Sequence, residues 1–78
     1  MEKDQVIIWD WNKIKAARVE AGFTAEIAAS FIEITPEFLS MLENGKRQPS
    51  PRTITKMSSL YRRQLDYFLK SEKNLALG

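Results

Sequence analysis

The sequence predicts a small all-α domain of five short helices. Apolar residues recur at helical spacing, and no stretch alternates between apolar and polar residues as a half-buried strand does. Residues suited to cap helix N-termini stand directly before these stretches, and proline follows two of them. The chain has 78 residues, of which 44% are hydrophobic, so it can form one domain around one core.

The first two predicted helices are bounded by polar caps and a glycine. Asp10 is a suitable N-cap for the first helix, and Gly22 suits the C′ position that ends it. Thr24 can cap the second helix, residues 25–31. This helix is too short to be stable alone, so it must pack against its neighbours.

The third and fourth predicted helices begin in the same way, with a hydroxyl N-cap and a proline at the first helical position. Thr35-Pro36 opens the third helix, which Asn44-Gly45 closes, and Ser50-Pro51 opens the fourth. The short connection between the second and third helices favours a helix-turn-helix. A fifth helix is predicted from an apolar face formed by Leu65, Phe68 and Leu69.

The absence of cysteine and histidine excludes several function classes. Disulfides, thiolate or histidine-ligated metal sites and catalytic triads with a histidine base are all impossible. We therefore expect neither an enzyme nor a protein with a metal or cofactor. The apolar run at residues 6–9 is too short for a signal peptide and follows an acidic residue, so we expect a cytoplasmic protein without a membrane segment.

Charge is distributed unevenly although the net charge is only +2. Between Glu43 and Asp66 there is no acidic residue, but six of the twelve basic residues lie there. Such a segment can bind a polyanion, or it can simply be a solvated surface. The pattern also remains compatible with a small helical domain that binds no ligand.

From Ile14 to Leu69 the sequence resembles the XRE family of phage-repressor and Cro-type helix-turn-helix domains. Matching residues run from Arg18 to Thr24, and the most specific piece is the run Leu42-Glu43-Asn44-Gly45-Lys46-Arg47-Gln48-Pro49-Ser50. The resemblance implies a lambda-repressor-like fold in which helices two and three form the helix-turn-helix and helix three enters the DNA major groove. It divides the chain into an N-terminal arm (1–9), a helix-turn-helix domain (10–70) and a C-terminal tail (71–78).

The resemblance also assigns candidate residues to the site. Arg18 and Glu43 occupy the positions of a structural pair between helix one and the end of helix three. Glu33 stands where many relatives have a glycine, so we expect a differently wound turn, because a residue with a Cβ is strained at positive φ. Phosphate contacts are implied for Thr24, Asn44, Lys46, Arg47, Arg52 and Lys56.

Base contacts are implied for Ala25, Pro36, Glu37, Ser40 and Met41. This set is poor in hydrogen-bonding groups. Alanine and methionine offer no strong hydrogen bond to a base edge, and Glu37 can accept only from cytosine N4.

The resulting hypothesis is a sequence-specific transcriptional regulator of bacterial or phage origin. It would be a repressor of phage or mobile-element type that binds double-stranded DNA as a homodimer. The alternative is a protein-interaction or regulatory module on the same fold, with a partner bound through Phe38 and Met41, near Phe31. Candidate dimer contacts are Leu65, Phe68, Leu69 and the tail residues 75–77, although each of these residues could equally belong to the core of its own chain.

Overall fold

A computed structural model of the protein describes residues 8–70. This part of the chain contains four α-helices and a single 3₁₀ turn. The elements are α1 (Trp11–Ala21), α2 (Ala25–Ile32), α3 (Pro36–Glu43), α4 (Pro51–Tyr61) and the turn Leu65–Phe68. None of these helices is long and apolar enough to span a membrane.

All four predicted N-caps are confirmed. The side chains of Asp10, Thr24, Thr35 and Ser50 each accept a hydrogen bond from a backbone amide in the first turn of the following helix. Each bond satisfies one of the amides that a helix start leaves without a partner. The helix starts are therefore determined by local chemistry.

The prediction of a fifth α-helix is wrong. Arg62 ends α4 in the left-handed conformation, with φ of 60°, and the apolar residues that follow make only one 3₁₀ turn. After that turn the chain is extended. The Lys70 amide donates to the Ile8 carbonyl at 3.0 Å, and the Asp10 amide donates to the Phe68 carbonyl at 2.7 Å. These bonds to a distant segment take the place of the bonds that a longer helix would need.

The turn between α2 and α3 has the winding that a glycine would give it, contrary to the expectation for Glu33. Glu33 adopts φ of 70°. Its amide donates to Ser30 and the Ile34 amide donates to Ala29, which is the Schellman arrangement that closes a helix. A residue with a Cβ thus adopts the left-handed conformation here, because packing on both sides of the turn fixes the chain.

The core lies where the four helices and the final turn meet. Ala28 and Ala29 of α2 are fully buried, and their small side chains allow α2 to approach α3 and α4 closely. Trp9, which the sequence placed in the N-terminal arm, packs against this core. The other fully buried apolar residues are Ile14, Ala17, Ile32, Leu39, Leu42, Ile54, Met57, Tyr61 and Phe68.

Candidate nucleic-acid interface

The helix-turn-helix is formed by α2, three connecting residues and α3. Ile34 in the connection is half-buried against the core, and Leu39 of α3 is fully buried. These apolar contacts fix α3 on the body of the domain. The opposite face of α3 is exposed to solvent.

Arg18 and Glu43 hold the C-terminal end of α3. Arg18 Nε donates to Glu43 Oε2 at 2.7 Å and Nη2 donates to Oε1 at 3.0 Å, so the pair is bidentate. Arg18 Nη1 also donates to the Phe23 carbonyl at 2.9 Å. The hydrogen bond that Arg18 donates to the Glu43 carboxylate raises the pKa of Arg18 above its usual value. A forked pair of this kind restricts the orientation of α3 relative to α1.

The exposed face of α3 begins with residues from the implied base-contact set. Pro36, Glu37 and Ser40 are exposed. Within residues 8–70, Glu37 forms no ion pair. Met41 is half-buried, and Ala25 of α2 is half-buried against the core. Of the five implied base contacts, Pro36, Glu37 and Ser40 are therefore the most accessible to a ligand.

Asn44 extends this face at the end of α3. Its Nδ2 donates to the Ser40 carbonyl at 2.8 Å and to Ser40 Oγ at 3.2 Å. These bonds orient the amide so that its Oδ1 and the Ser40 hydroxyl proton can still bind another group.

The loop that follows α3, residues 44–50, carries exposed cations. Lys46 and Arg47 are exposed there, and Arg52 is exposed in the first turn of α4. In the part of the chain that the structure describes, none of these three forms an ion pair. Lys46 and Arg47 therefore have no carboxylate partner among these residues, whereas Arg52 lies near enough to Glu33 to help lower the pKa of that carboxyl.

Lys56 differs from the other implied phosphate contacts. Its Nζ lies 2.5 Å from Glu33 Oε1. This hydrogen bond holds the pKa of the Glu33 carboxyl below its usual value. To bind a phosphate, Lys56 would have to break its bond to Glu33 or bind the carboxylate and the phosphate at the same time.

Thr24 combines two properties at the start of α2. Its Oγ1 accepts from the Ile27 amide at 3.2 Å, and the side chain is exposed. The hydroxyl proton and the amides of Ala25 and Glu26 therefore remain available to an anion, while the Ile27 amide is bonded to Thr24.

Two contacts that sequence reasoning missed anchor the loop at residues 44–50. Gly45 has φ of 77°, and a Cβ at this position would lie 2.7 Å from Trp11 Nε1. The Trp9 amide donates to Gln48 Oε1 at 2.8 Å, and Gln48 Nε2 donates to the Trp9 carbonyl at 3.4 Å. Gly45 and Gln48 both belong to the run that matches the family motif, and this match was the only sequence signal for these contacts.

The expectation that Phe68 contacts a second subunit is wrong, because its side chain is fully buried in the core. Leu65 and Leu69, in contrast, are 41% and 37% exposed. Tail residues 75–77 lie outside the described part of the chain. The surface that remains for a dimer contact is therefore smaller than the sequence suggested.

The predicted protein-partner surface also changes in composition. Phe38 is half-buried and packs against the core. On α2, Ile27 is 49% and Phe31 is 64% exposed, and the Phe31 ring contacts Phe23 edge-on at 6.3 Å between centroids. The most exposed large apolar side chain among the described residues is thus Phe31 of α2.

Comparison with known proteins agrees with this architecture. The transcriptional regulator ImmR of Bacillus subtilis is 36% identical over 62 residues, which cover 80% of this chain and 49% of ImmR. The SPbeta prophage-derived regulator YonR of the same organism is 31% identical over 59 residues, covering 76% of this chain and 55% of YonR. Both are named HTH-type transcriptional regulators, and the chain spans about half the length of each.

The fold is also similar to that of a solved structure. The DNA-binding domain of the P22 c2 repressor matches with a TM-score of 0.69 and 16% identity, over 73% of this chain and 75% of that one. The family HTH_3, described as helix-turn-helix, matches residues 14–68. This range includes all of α2, α3 and α4, so the chain belongs to the XRE-type helix-turn-helix family.

Proposed function

We propose that the protein is a DNA-binding transcriptional regulator, a repressor of phage or mobile-element type, that inserts α3 into the major groove. The observation that carries the proposal is the direct continuation of the exposed face of α3 into a loop with Lys46 and Arg47, neither paired with a carboxylate of residues 8–70. Exposed cations beside a helix of suitable size for the groove are the features that duplex DNA requires.

Phosphate contacts supply most of the affinity in this mechanism. Lys46, Arg47 and Arg52 bind phosphates by charge, while Thr24 and the amides at the start of α2 donate hydrogen bonds to another phosphate. Asn44 assists through its orientated amide, and Lys56 contributes only when it is released from Glu33. These contacts set the position of α3 in the groove.

Base contacts come from a surface in which acceptors predominate. Glu37 offers only acceptor oxygens, which fit the N4 donor of cytosine. Adenine also presents a donor, N6, but it stands beside the N7 acceptor, which repels a carboxylate. Guanine presents acceptors alone at the same edge, so it repels Glu37. No arginine, lysine or glutamine lies in α3, so a bidentate contact from this helix to guanine is absent. We therefore propose a half-site with cytosine opposite Glu37.

Dimerisation would double the number of bases that the protein contacts. One domain of this size contacts few base pairs, so two copies on half-sites about 34 Å apart, or a multiple of it, give a useful specificity. For the subunit contact we propose two exposed apolar residues, Leu65 in the final turn and Leu69 directly after it. Such a regulator acts in the bacterial cytoplasm, where its DNA is.

A second candidate function is protein binding through α2. The exposed Phe31 and Ile27 favour it, because exposed apolar residues that adjoin one another mark interaction surfaces more often than isolated ones do. Met41 of α3 is half-buried and so offers less surface to a partner than Phe31 does. In this alternative the loop cations are solvated and bind no DNA.

The two functions are separated by one set of titrations. If the protein is a DNA-binding regulator, it should bind a mixed-sequence duplex at about 50 mM salt. It should bind a fragment selected from random DNA more tightly than this duplex. Arg47→Ala should weaken both interactions, and Phe31→Ser should change neither. Absence of any binding to DNA in low salt would contradict the proposal.

A further inference from the structure

Gln48 is the only side chain of the loop at residues 44–50 that bonds to the N-terminal segment among the described residues. Its amide oxygen accepts from the Trp9 amide at 2.8 Å, and its amide nitrogen donates to the Trp9 carbonyl at 3.4 Å. The side chain thereby satisfies both backbone polar groups of one residue. The partners are 39 positions apart in the sequence.

Residues 8–10, which we call the strap, are bonded on both edges. On one edge the strap pairs with the end of the domain, through the bonds from Lys70 to Ile8 and from Asp10 to Phe68. Trp9 and Leu69 form the antiparallel bridge between them. In such a bridge the backbone groups of Trp9 point away from Leu69, toward the other edge. That other edge is where Gln48 binds.

Trp11, the first residue of α1 and the residue directly after the strap, adds a second contact to the same loop. Its indole lies over Gly45, so closely that a Cβ on Gly45 would be 2.7 Å from Nε1. Lys46 and Arg47 lie between Gly45 and Gln48 in the sequence. The two cations thus lie between Gly45, which contacts Trp11, and Gln48, which bonds to Trp9.

We propose that Gln48 is a positioning residue for DNA binding, which fixes the loop carrying Lys46 and Arg47 to the strap while it makes no contact with DNA itself. The inference rests on the proposed function. A loop held before binding loses less conformational entropy when its cations bind phosphates. Loss of the Gln48 bonds moves that entropy cost from folding to DNA binding.

The test uses the full chain and a mixed-sequence duplex of about 20 base pairs, titrated by fluorescence anisotropy between about 50 and 200 mM salt. Gln48→Met keeps the length of the side chain and removes both hydrogen bonds. Gln64→Met is the matched control, because Gln64 is exposed and its side chain makes no hydrogen bond within residues 8–70. Circular dichroism identifies a temperature at which all variants are folded.

We expect Gln48→Met to weaken binding by about three- to tenfold, the fold-change that corresponds to the net contribution of one or two hydrogen bonds. The slope of log affinity against log salt should become shallower, by up to about 0.9 for each phosphate that the variant no longer neutralises. Gln64→Met should change neither quantity. If Gln48→Met does not fold, Gln48→Asn replaces it, since this side chain retains the amide but is too short to reach Trp9.

A double-mutant cycle with Arg47→Ala distinguishes positioning from a general loss of stability. If Gln48 acts through the loop, Arg47→Ala should cost less affinity in the Gln48→Met background than in the wild type. Additive effects, or equal binding and slope for Gln48→Met and wild type, would overturn the inference alone. A wild-type chain that binds no duplex would overturn the proposed function and this inference with it.

Discussion

Arg18 and Glu43 form a bidentate ion pair whose side chains are 12% and 7% exposed, and this pair joins α1 to the last residue of α3. Removal of one partner leaves the other desolvated without compensation, which costs more than the pair itself contributes. The same bonds hold the proposed recognition helix in place. The pair therefore links the stability of the domain to its ability to bind DNA.

Glu43→Ala should lower the free energy of unfolding by about 1 to 3 kcal/mol, because Arg18 loses two charge-assisted hydrogen bonds. Urea and thermal unfolding measure this loss. Glu20→Ala is the matched control, since Glu20 bonds to Arg63 at 2.7 Å but both side chains are substantially exposed. The control should have the smaller effect. Equal effects for the two variants would contradict the role assigned to the buried pair.

Arg47→Ala should leave folding unchanged and weaken DNA binding, with a salt slope shallower by about 0.9. Arg47 is exposed and, within residues 8–70, has no carboxylate partner, so its removal breaks no ion pair there. Thermal unfolding and salt-dependent titration measure the two quantities separately. Lys15→Ala, an exposed cation on α1 outside the proposed interface, serves as the control. A variant that unfolds easily yet binds normally would show that the position is misassigned.

Gly45→Ala should destabilise the domain more than Gly22→Ala. Both glycines have positive φ, so both substitutions incur the cost of a left-handed residue, roughly 1 to 2 kcal/mol. At Gly22 the space for a Cβ is open, whereas at Gly45 Trp11 must move. We expect an additional loss of about 1 kcal/mol or more at Gly45, together with changed tryptophan fluorescence. Equal losses at the two positions would mean that the Trp11 contact is unimportant.

The Glu33–Lys56 pair should make the free energy of unfolding decrease as the pH is lowered into the acidic range. The Glu33 pKa lies below its usual 4.5 in the folded protein, so the pair contributes stability above that value. The contribution is lost as pH falls through the folded pKa. The difference in melting temperature between wild type and Glu33→Gln should therefore be present at neutral pH and disappear at lower pH. In a Lys56→Met background the same substitution should have a smaller pH-dependent effect, because only the Coulombic attraction of Arg52 then acts on Glu33.

Tyr61→Phe should be neutral or stabilise the domain by up to about 1 kcal/mol. The Tyr61 hydroxyl is buried and finds no hydrogen-bond partner among the described residues, so its removal relieves an uncompensated desolvation. Burial raises the pKa of this phenol above its usual value, and the nearby Glu43 carboxylate raises it further. Thermal unfolding measures the change, and a large loss of stability would indicate that the hydroxyl has a partner after all.

The sequence was sufficient for the helix starts because N-caps act over three residues. Asp10, Thr24, Thr35 and Ser50 need only their own first turn to be identified. The family motif likewise placed Arg18 and Glu43, which the structure joins. In both cases the information is contained in short stretches or in a pattern shared by relatives.

What the sequence did not reveal depends on distant partners. The spacing of Leu65, Phe68 and Leu69 fits an α-helix and a 3₁₀ turn alike, and the pairing of this segment with residues 8–10 decides between them. Glu33 adopts the left-handed conformation although a residue with a Cβ disfavours it. This cost is small compared with the packing of the neighbouring Ile32 and Ile34 against the core. Gln48 has no local feature that indicates its bonds to Trp9.

The pairing of Lys70 with Ile8 has a consequence for how the domain can be built into a longer polypeptide. The chain enters and leaves the described unit at neighbouring points, 3.0 Å apart between the amide nitrogen and the carbonyl oxygen. Flanking sequence can therefore be attached on either side without reshaping the four helices, as for a domain inserted into a host loop. A circular permutant that joins the two ends through a short linker should keep its architecture.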